Sequence, residues 1–363
     1  MPLRIEKLVY GGDGLARDAG LVWFVPFSAP GDLVEIEETA LKSSYHRGKI
    51  RRILEESPLR TEALCPWFGS CGGCQWQHIQ YPAQLSAKKD ILVSMATRDL
   101  VNPPEEVEIF HSPAEWEYRC RISLHRREKE IGYFAAGSRD LVPIQDCPIA
   151  ESPLRSWLQE LPLSFREIEN LPERFELRSE EGTVRIVDTG KNEAFQQVNS
   201  LGNSLLKDKL RSHILGYYPE PRIFDLFCGN GNLSLPLSDA AESISAWDVS
   251  AEAIEAARKA GGNDSRLHYS RRKVSAVYGA LRKEADKTDV LILDPPRKGV
   301  KNEAPFLAKL RIPLVAYVSC NPASLMRDLK VFEKAGYRLE HLEAFDMFPQ
   351  TYHLESLALL SLR

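Results

Sequence analysis

The sequence predicts an α/β protein whose C-terminal part is a doubly wound, Rossmann-like parallel sheet. Three observations predict it. From about residue 195 onward, apolar strands alternate with helical segments, as in consecutive βαβ units. One strand runs straight into a Gly-x-Gly turn, IFDLFCGNGN (Ile223–Asn232). Two more end in chemically loaded tails, LILDPPRKGV (Leu291–Val300) and YVSCNP (Tyr317–Pro322). Open α/β sheets bind ligands beyond the carboxyl ends of their strands.

The segments before this sheet have a different texture. Residues 1–57 read as short strands (IEKLVY, LVWFVPF, LVEIEET) separated by GGDG and APGD turns. Strands so closely spaced suggest a small β-barrel of the oligonucleotide/oligosaccharide-binding type. Lys42–Arg52 carries six basic residues, counting His46, and no acid, which suits single-stranded nucleic acid. Residues 58–194 form a central α+β region. It opens with a loop rich in Pro, Gly and Cys, then a helical stretch over 77–100, then the strands EIFHSP, RCRISLHRRE, EIGYFAA, LVPIQDC, FELRSE and TVRIVD, with a helix over Ser152–Leu161. Residues 195–363 supply the doubly wound domain: helices over Ser200–Leu215, Ala251–Ala260 and Pro322–Ala335, and strands over Arg222–Phe227, Asp289–Leu293 and Leu314–Ser319.

Composition bounds the function. A chain of 363 residues with 43% hydrophobic and 27% charged residues is an ordinary globular mix, which excludes collagenous, disordered and disulfide-scaffold classes. The N-terminus has no apolar signal core, and LVWFVPF is far too short to span a bilayer. A cytoplasmic protein is expected. The net charge of −4 argues against a general nucleic-acid binder, but the charge is uneven. Residues 258–301 hold twelve Lys/Arg against five Asp/Glu, and acid concentrates over Glu151–Glu193. Basic surfaces on the barrel and around the sheet's rim remain available for a shaped single-stranded site.

Gly229 and Gly231 let the backbone approach a ligand closely. The turn lacks G-x-G-x-x-G, which favours S-adenosylmethionine over a dinucleotide and disfavours an oxidoreductase. Asp248 ends the next strand, placed to hold ribose hydroxyls. Asp294 and Cys320 end two further strands on the same rim. Asp-Pro-Pro followed by Arg297 argues against amine methylation, which uses an aromatic residue there. Phe345–Ser356 (FDMFPQTYHLES) offers Asp346, His353 and Glu355, with His353 and Glu355 alternating on one strand face. A thiolate, a carboxylate base and a methyl sulfonium are what methylation of uracil carbon 5 needs. Cys320, Glu355 and Asp294 fill the protein's roles, acting on an unpaired or flipped base.

Cys65, Cys71, Cys74 and Cys147 form a four-thiolate set that reads as a metal centre, with zinc and iron–sulfur both open on spacing. Cys120 and Cys228 read as buried packing residues.

The sequence resembles the RNA uracil-5-methyltransferases, particularly the bacterial 23S rRNA branch with a TRAM barrel and a [4Fe–4S] cluster. The resemblance runs over nearly the whole chain, through YGGDGLAR, CPWFGSCGGCQWQH, YRCR, FQQVN, DLFCGNGN, LDPPRKG, YVSCNPASLMRDL and DMFPQTYHLES. It implies Cys65, Cys71, Cys74 and Cys147 as [4Fe–4S] ligands, and Gln197, Phe227, Asn232, Asp248 and Asp294 as S-adenosylmethionine contacts. It implies Cys320 as nucleophile, Glu355 as base, and packing of residues 77–106 on the catalytic domain. The ribose acid is usually Glu in the family and is Asp248 here. A monomer acting on 23S rRNA is expected. The alternatives are a tRNA uridine as target, or a non-catalytic RNA-binding or redox-sensing protein.

Overall fold

The computed structural model describes residues 1–41, 44–160, 171–188 and 197–362. Lys42, Leu161 and the expected boundary between residues 194 and 195 lie outside them. Three sheets divide the described chain.

The N-terminal sheet has six strands: β1 (Pro2–Arg4), β2 (Lys7–Leu8), β3 (Gly14–Asp18), β4 (Leu21–Val25), β5 (Leu33–Leu41) and β6 (His46–Glu55), in spatial order β1-β5-β6-β4-β3-β2. Its inner face is Leu3, Ile5, Ala16, Trp23, Val25, Val34 and Ile36. The sequence reading leaves β3 and β6 unassigned. Half the positions of β6 are charged, which hides the alternation that puts Gly48 and Ile50 inward while Arg47, Lys49 and Arg51 face out. The basic surface expected over Lys42–Arg52 is partly neutralised. β5 pairs antiparallel with β6 and sets Glu37 opposite Lys49 and Glu35 opposite Arg52. Arg47 pairs with Asp13 at 2.9 Å. Asp32, fully buried, takes Arg60 at 2.7 Å and ties this sheet to the cysteine loop.

α1 (Tyr81–Asp99) follows that loop; Pro82 sits in its first turn, where a missing N–H costs nothing. Next come β7 (Glu108–Phe110) and the central five-stranded sheet: β8 (Arg121–Arg127), β9 (Glu130–Phe134), β10 (Leu141–Pro143), β11 (Arg174–Glu180) and β12 (Thr183–Asp188), in order β10-β9-β8-β11-β12. α2 (Ser152–Glu160) packs on β11 and β12, burying Leu154 and Leu158.

The third sheet contains β13 (Arg222–Leu226), β14 (Ser243–Asp248), β15 (Leu267–Arg271), β16 (Val290–Leu293), β17 (Leu314–Ser319), β18 (Tyr337–Phe345) and β19 (Glu355–Leu362), in order β15-β14-β13-β16-β17-β19-β18-β7. The first five strands of that order are parallel, and β19 inserts antiparallel between β17 and β18. The helices are α3 (Ser200–Tyr217), α4 (Ala251–Gly261), α5 (Tyr278–Glu284), α6 (Ala304–Lys309) and α7 (Pro322–Lys334). β16 and β17 are buried along their whole length, as expected for central strands covered on both faces. β7 departs from the sequence reading, which groups EIFHSP with the central region. It pairs parallel with β18 instead, where Phe110 stacks on Phe345 at 4.9 Å between ring centres.

α1 packs on α7 and β18, which lie more than 200 residues further along the chain, as well as on β7. Lys88 Nζ donates to Asp346 Oδ1 at 2.6 Å, with both side chains fully buried, and to the Phe348 carbonyl at 3.1 Å. Asp346, offered by the sequence as a spare acid, is thus committed to holding α1. Lys88→Met strands a buried carboxylate and is expected to destabilise the protein by about 3–5 kcal/mol. Urea unfolding measures this; an unchanged midpoint would show that the pair holds nothing.

Candidate active site

The carboxyl ends of β13, β14, β16 and β17, with the segment before β19, surround a cleft of about 970 Å³. The Gly turn forms one wall. Phe227, directly after β13, has a φ of 65°, a left-handed conformation a bulky residue adopts only under constraint. Its N–H and that of Cys228 both donate to the Trp247 carbonyl, which holds the turn in place. At Gly229 (φ 54°) a Cβ would project into open space, so the backbone itself faces the cleft. At Gly231 (φ 81°) a Cβ would collide with Leu235.

The residues expected at the cofactor all line this cleft: Gln197, Phe227, Asn232, Asp248 and Asp294. Asn232 is held by reciprocal amide bonds to Asn203 of α3, at 2.8 and 3.0 Å. Asp248 accepts from the Gly229 and Ser250 N–H groups at 3.1 and 2.8 Å, so it caps the strand end as well as facing the cleft. Beneath the turn, Asp225 is fully buried, next to the Ser234 hydroxyl. Burial, and then the Asp248 charge, push it up to about 7. Burial, Asp225 and Asp248 likewise raise Asp294. Three carboxyl groups meet at a glycine turn. That donor set fits S-adenosylmethionine, which carries an ammonium and a sulfonium.

Cys320 and Glu355 face the same cleft. Burial, and then the neighbouring Glu355, push the Cys320 thiol up to about 11, opposed by Arg297. Glu355, at 3% exposure, is held well above the usual carboxylate range by burial and by Asp294. Arg297 is the cation between these groups. It donates to His353 Nδ1 at 3.0 Å and hydrogen-bonds Cys320. Burial and the adjacent Arg297 lower His353 to about 4, so it is a neutral acceptor. His353 and Glu355 do not alternate on one strand, because β19 begins at Glu355; the turn before it brings His353 to the cleft. The sequence reading missed Arg297 as an active-site cation and Arg119 as a lining residue. RKG after Asp-Pro-Pro, and the second position of YRCR, were the available signals.

Aromatic rings run along the rim. Tyr10 meets Tyr352 edge-on at 5.4 Å, Tyr352 lies 4.1 Å from His353, and His353 lies 5.9 Å from Phe348. Tyr10 lies in the turn between β2 and β3, so the N-terminal domain reaches the catalytic residues. Trp76 reinforces the contact by donating to the Gly12 carbonyl at 2.9 Å.

Cys65, Cys71, Cys74 and Cys147 line one small cavity beside this cleft, and all are free thiols. Burial raises each, Cys71 to about 11 and Cys74 to about 12, and neighbouring thiols of the set add to the rise at Cys65, Cys71 and Cys74. A Cβ on Gly72 would press on the Phe134 carbonyl at 2.9 Å, and the Gly73 N–H donates to Cys71 Sγ at 3.4 Å. Arg119 lines both cavities, and its buried Nε has no partner among the described residues. Four thiolates around a metal centre would carry the negative charge this guanidinium lacks. Cys120 and Cys228 are buried, and Cys120 Sγ bonds the Gln197 carbonyl.

Residues 185–363 match the tRNA (uracil-5-)-methyltransferase family model. An uncharacterized RNA methyltransferase of Bdellovibrio bacteriovorus is 35% identical, covering 98% of this chain and 93% of its own length. The 23S rRNA (uracil(1939)-C(5))-methyltransferase of Shewanella amazonensis is 30% identical, over 99% of this chain and 95% of its own. The fold matches the Pyrococcus abyssi tRNA (uracil-54, C5)-methyltransferase solved with S-adenosyl-L-homocysteine, with TM-score 0.75 and 24% identity over 99% of this chain and 100% of that one. No helix among the described residues is long and apolar enough to cross a membrane. With likeness over its full length and a sulfonium-compatible cleft, the chain belongs to the RNA (uracil-5-)-methyltransferases, which use S-adenosylmethionine to methylate carbon 5 of uracil in RNA.

Proposed function

We propose that this enzyme methylates a uridine of 23S rRNA, with Cys320 as nucleophile and Glu355 as base. The convergence of Cys320, Glu355 and Asp294 on one cleft carries the reading of the chemistry. Full-length likeness to a 23S rRNA enzyme supports the target. S-adenosylmethionine supplies an electrophilic methyl carbon. Gln197, Phe227, Asn232, Asp248 and Asp294 hold it, Asp248 at the ribose hydroxyls. The Cys320 thiolate adds to uracil carbon 6 and sends the ring electrons toward carbon 5, which takes the methyl group as the sulfonium–methyl bond breaks and S-adenosylhomocysteine is left. Glu355 removes the carbon-5 proton and the carbon–sulfur bond breaks, restoring the ring. Asp294 orients the base edge, and Arg297 favours the thiolate over the thiol. The base reaches Cys320 only when unpaired or flipped out. The rim rings from Tyr10 to Phe348 give neighbouring bases a stacking surface.

In this reading residues 1–57 are an RNA-binding TRAM barrel. Residues 58–194 are the cluster domain, with 77–106 packed on the catalytic domain of 195–363, and the protein acts as a monomer. Cys65, Cys71, Cys74 and Cys147 hold a [4Fe–4S] cluster. Anaerobic preparations are then expected to be brown, with about four iron and four sulfide per chain. Stoichiometric zinc without iron would replace the cluster with a structural zinc site. The target is tested by mass mapping of 5-methyluridine in cells lacking the protein. Loss of one rRNA site is expected; loss from tRNA alone would move the substrate to tRNA.

A further inference from the structure

We propose that His213, His341 and Glu343 form a site for a zinc-type divalent cation on the flank of the catalytic sheet, separate from the cysteine cavity and the cleft. His341 and Glu343 stand two residues apart on β18, so both project to one face. A β-bulge between Leu339 and His341 re-aims the strand just before them. His213 meets them from α3, where Leu210 and Ile214 bury the adjacent face. His213 Nε2 lies 2.8 Å from Glu343 Oε1, and the two imidazole rings are 4.6 Å apart. One ligand atom from each of the three residues lies within 4.8 Å of the others.

Two features separate this group from a surface ion pair. The Glu343 side chain is only 7% exposed, yet its Oε2 has no hydrogen-bond partner among the described residues. A buried carboxylate oxygen without a donor is unusual, and a cation satisfies it. His341 is exposed, so an ion has a route in and water can complete its coordination. Two imidazoles and one carboxylate suit zinc, cobalt and nickel better than magnesium or calcium.

The position gives the site a use. The first turns of α3 line the cofactor cleft through Asn203 and Lys207, about 15 and about 9 Å along the helix from His213. β18 leads into the loop that carries Phe348 and Thr351 to the same cleft. A cation would clamp these two elements below the pocket they build.

Cobalt(II) titration of the purified, cluster-containing protein tests this. One cobalt is expected, with weak visible bands of nitrogen and oxygen ligation and no thiolate charge-transfer band, displaced by zinc. Zinc should raise the melting temperature. His341→Ala changes an exposed residue, so the metal-free variant is expected to melt as wild type. It should weaken cobalt binding at least about tenfold, and His213→Gln should do the same. Unchanged affinity in both variants, a thiolate band in place of the nitrogen–oxygen spectrum, or no binding at micromolar cobalt would overturn the proposal.

Discussion

Cys320→Ala is expected to lower methyl transfer by roughly 10⁴-fold or more while leaving S-adenosylmethionine binding intact. Carbon 5 of uracil is a poor nucleophile until a thiolate has added to carbon 6, and no other cysteine lines the cleft except Cys228, whose side chain is buried in the Gly turn. Wild type should form a covalent adduct with 5-fluorouridine RNA, and Cys320→Ala should not. A variant that still methylates would sink the addition mechanism. The environment of Cys320 adds a pH signature. With the thiol raised to about 11, the reactive thiolate is the minor form at neutral pH. Its fraction grows about tenfold per pH unit below that value, so kcat/KM should climb between about pH 7 and 9. A flat profile would mean that RNA binding itself ionises the thiol.

Much of this site is legible in the sequence because it obeys a local rule. Asp294 and Cys320 each follow an apolar run, and ligands gather at the carboxyl ends of parallel strands. The Gly229–Gly231 turn is legible for the same reason. What escapes is set by contacts between distant segments. Nothing near Lys88 announces Asp346, more than 250 residues away, so a buried ion pair looks like a solvated helix lysine and a spare acid. Arg297 gains meaning only when the turn before β19 brings His353 within 3.0 Å. β7 is a three-residue strand whose partner lies at the other end of the chain, and sequence order assigns it to the wrong sheet. β6 is hidden differently: its outward charges blur the two-residue period, and only the facing acids of β5 show how those charges are balanced. The four cysteines were legible as a set; the Arg119 Nε beside them, without a partner among the described residues, was not.

Glu355→Gln separates the two halves of the reaction. Glutamine keeps the shape of the side chain but cannot accept the carbon-5 proton. Turnover should fall by roughly 10²–10⁴-fold, the usual worth of a positioned base. The addition step should survive. In the wild type Glu355 is one of the groups that raise the Cys320 thiol, so removing its charge favours the thiolate. It also relieves Asp294, whose buried carboxyl repels Glu355. Addition and methyl transfer proceed, elimination stalls, and a protein–RNA adduct resistant to denaturation should accumulate with ordinary uridine RNA. Glu355→Ala should give less adduct, because it also opens a cavity behind the base. If Glu355 only packed the cleft, both steps would fail together and no adduct would form. Normal turnover by Glu355→Gln would assign the proton to another group, and Asp294 is the carboxyl close enough to interact with Glu355.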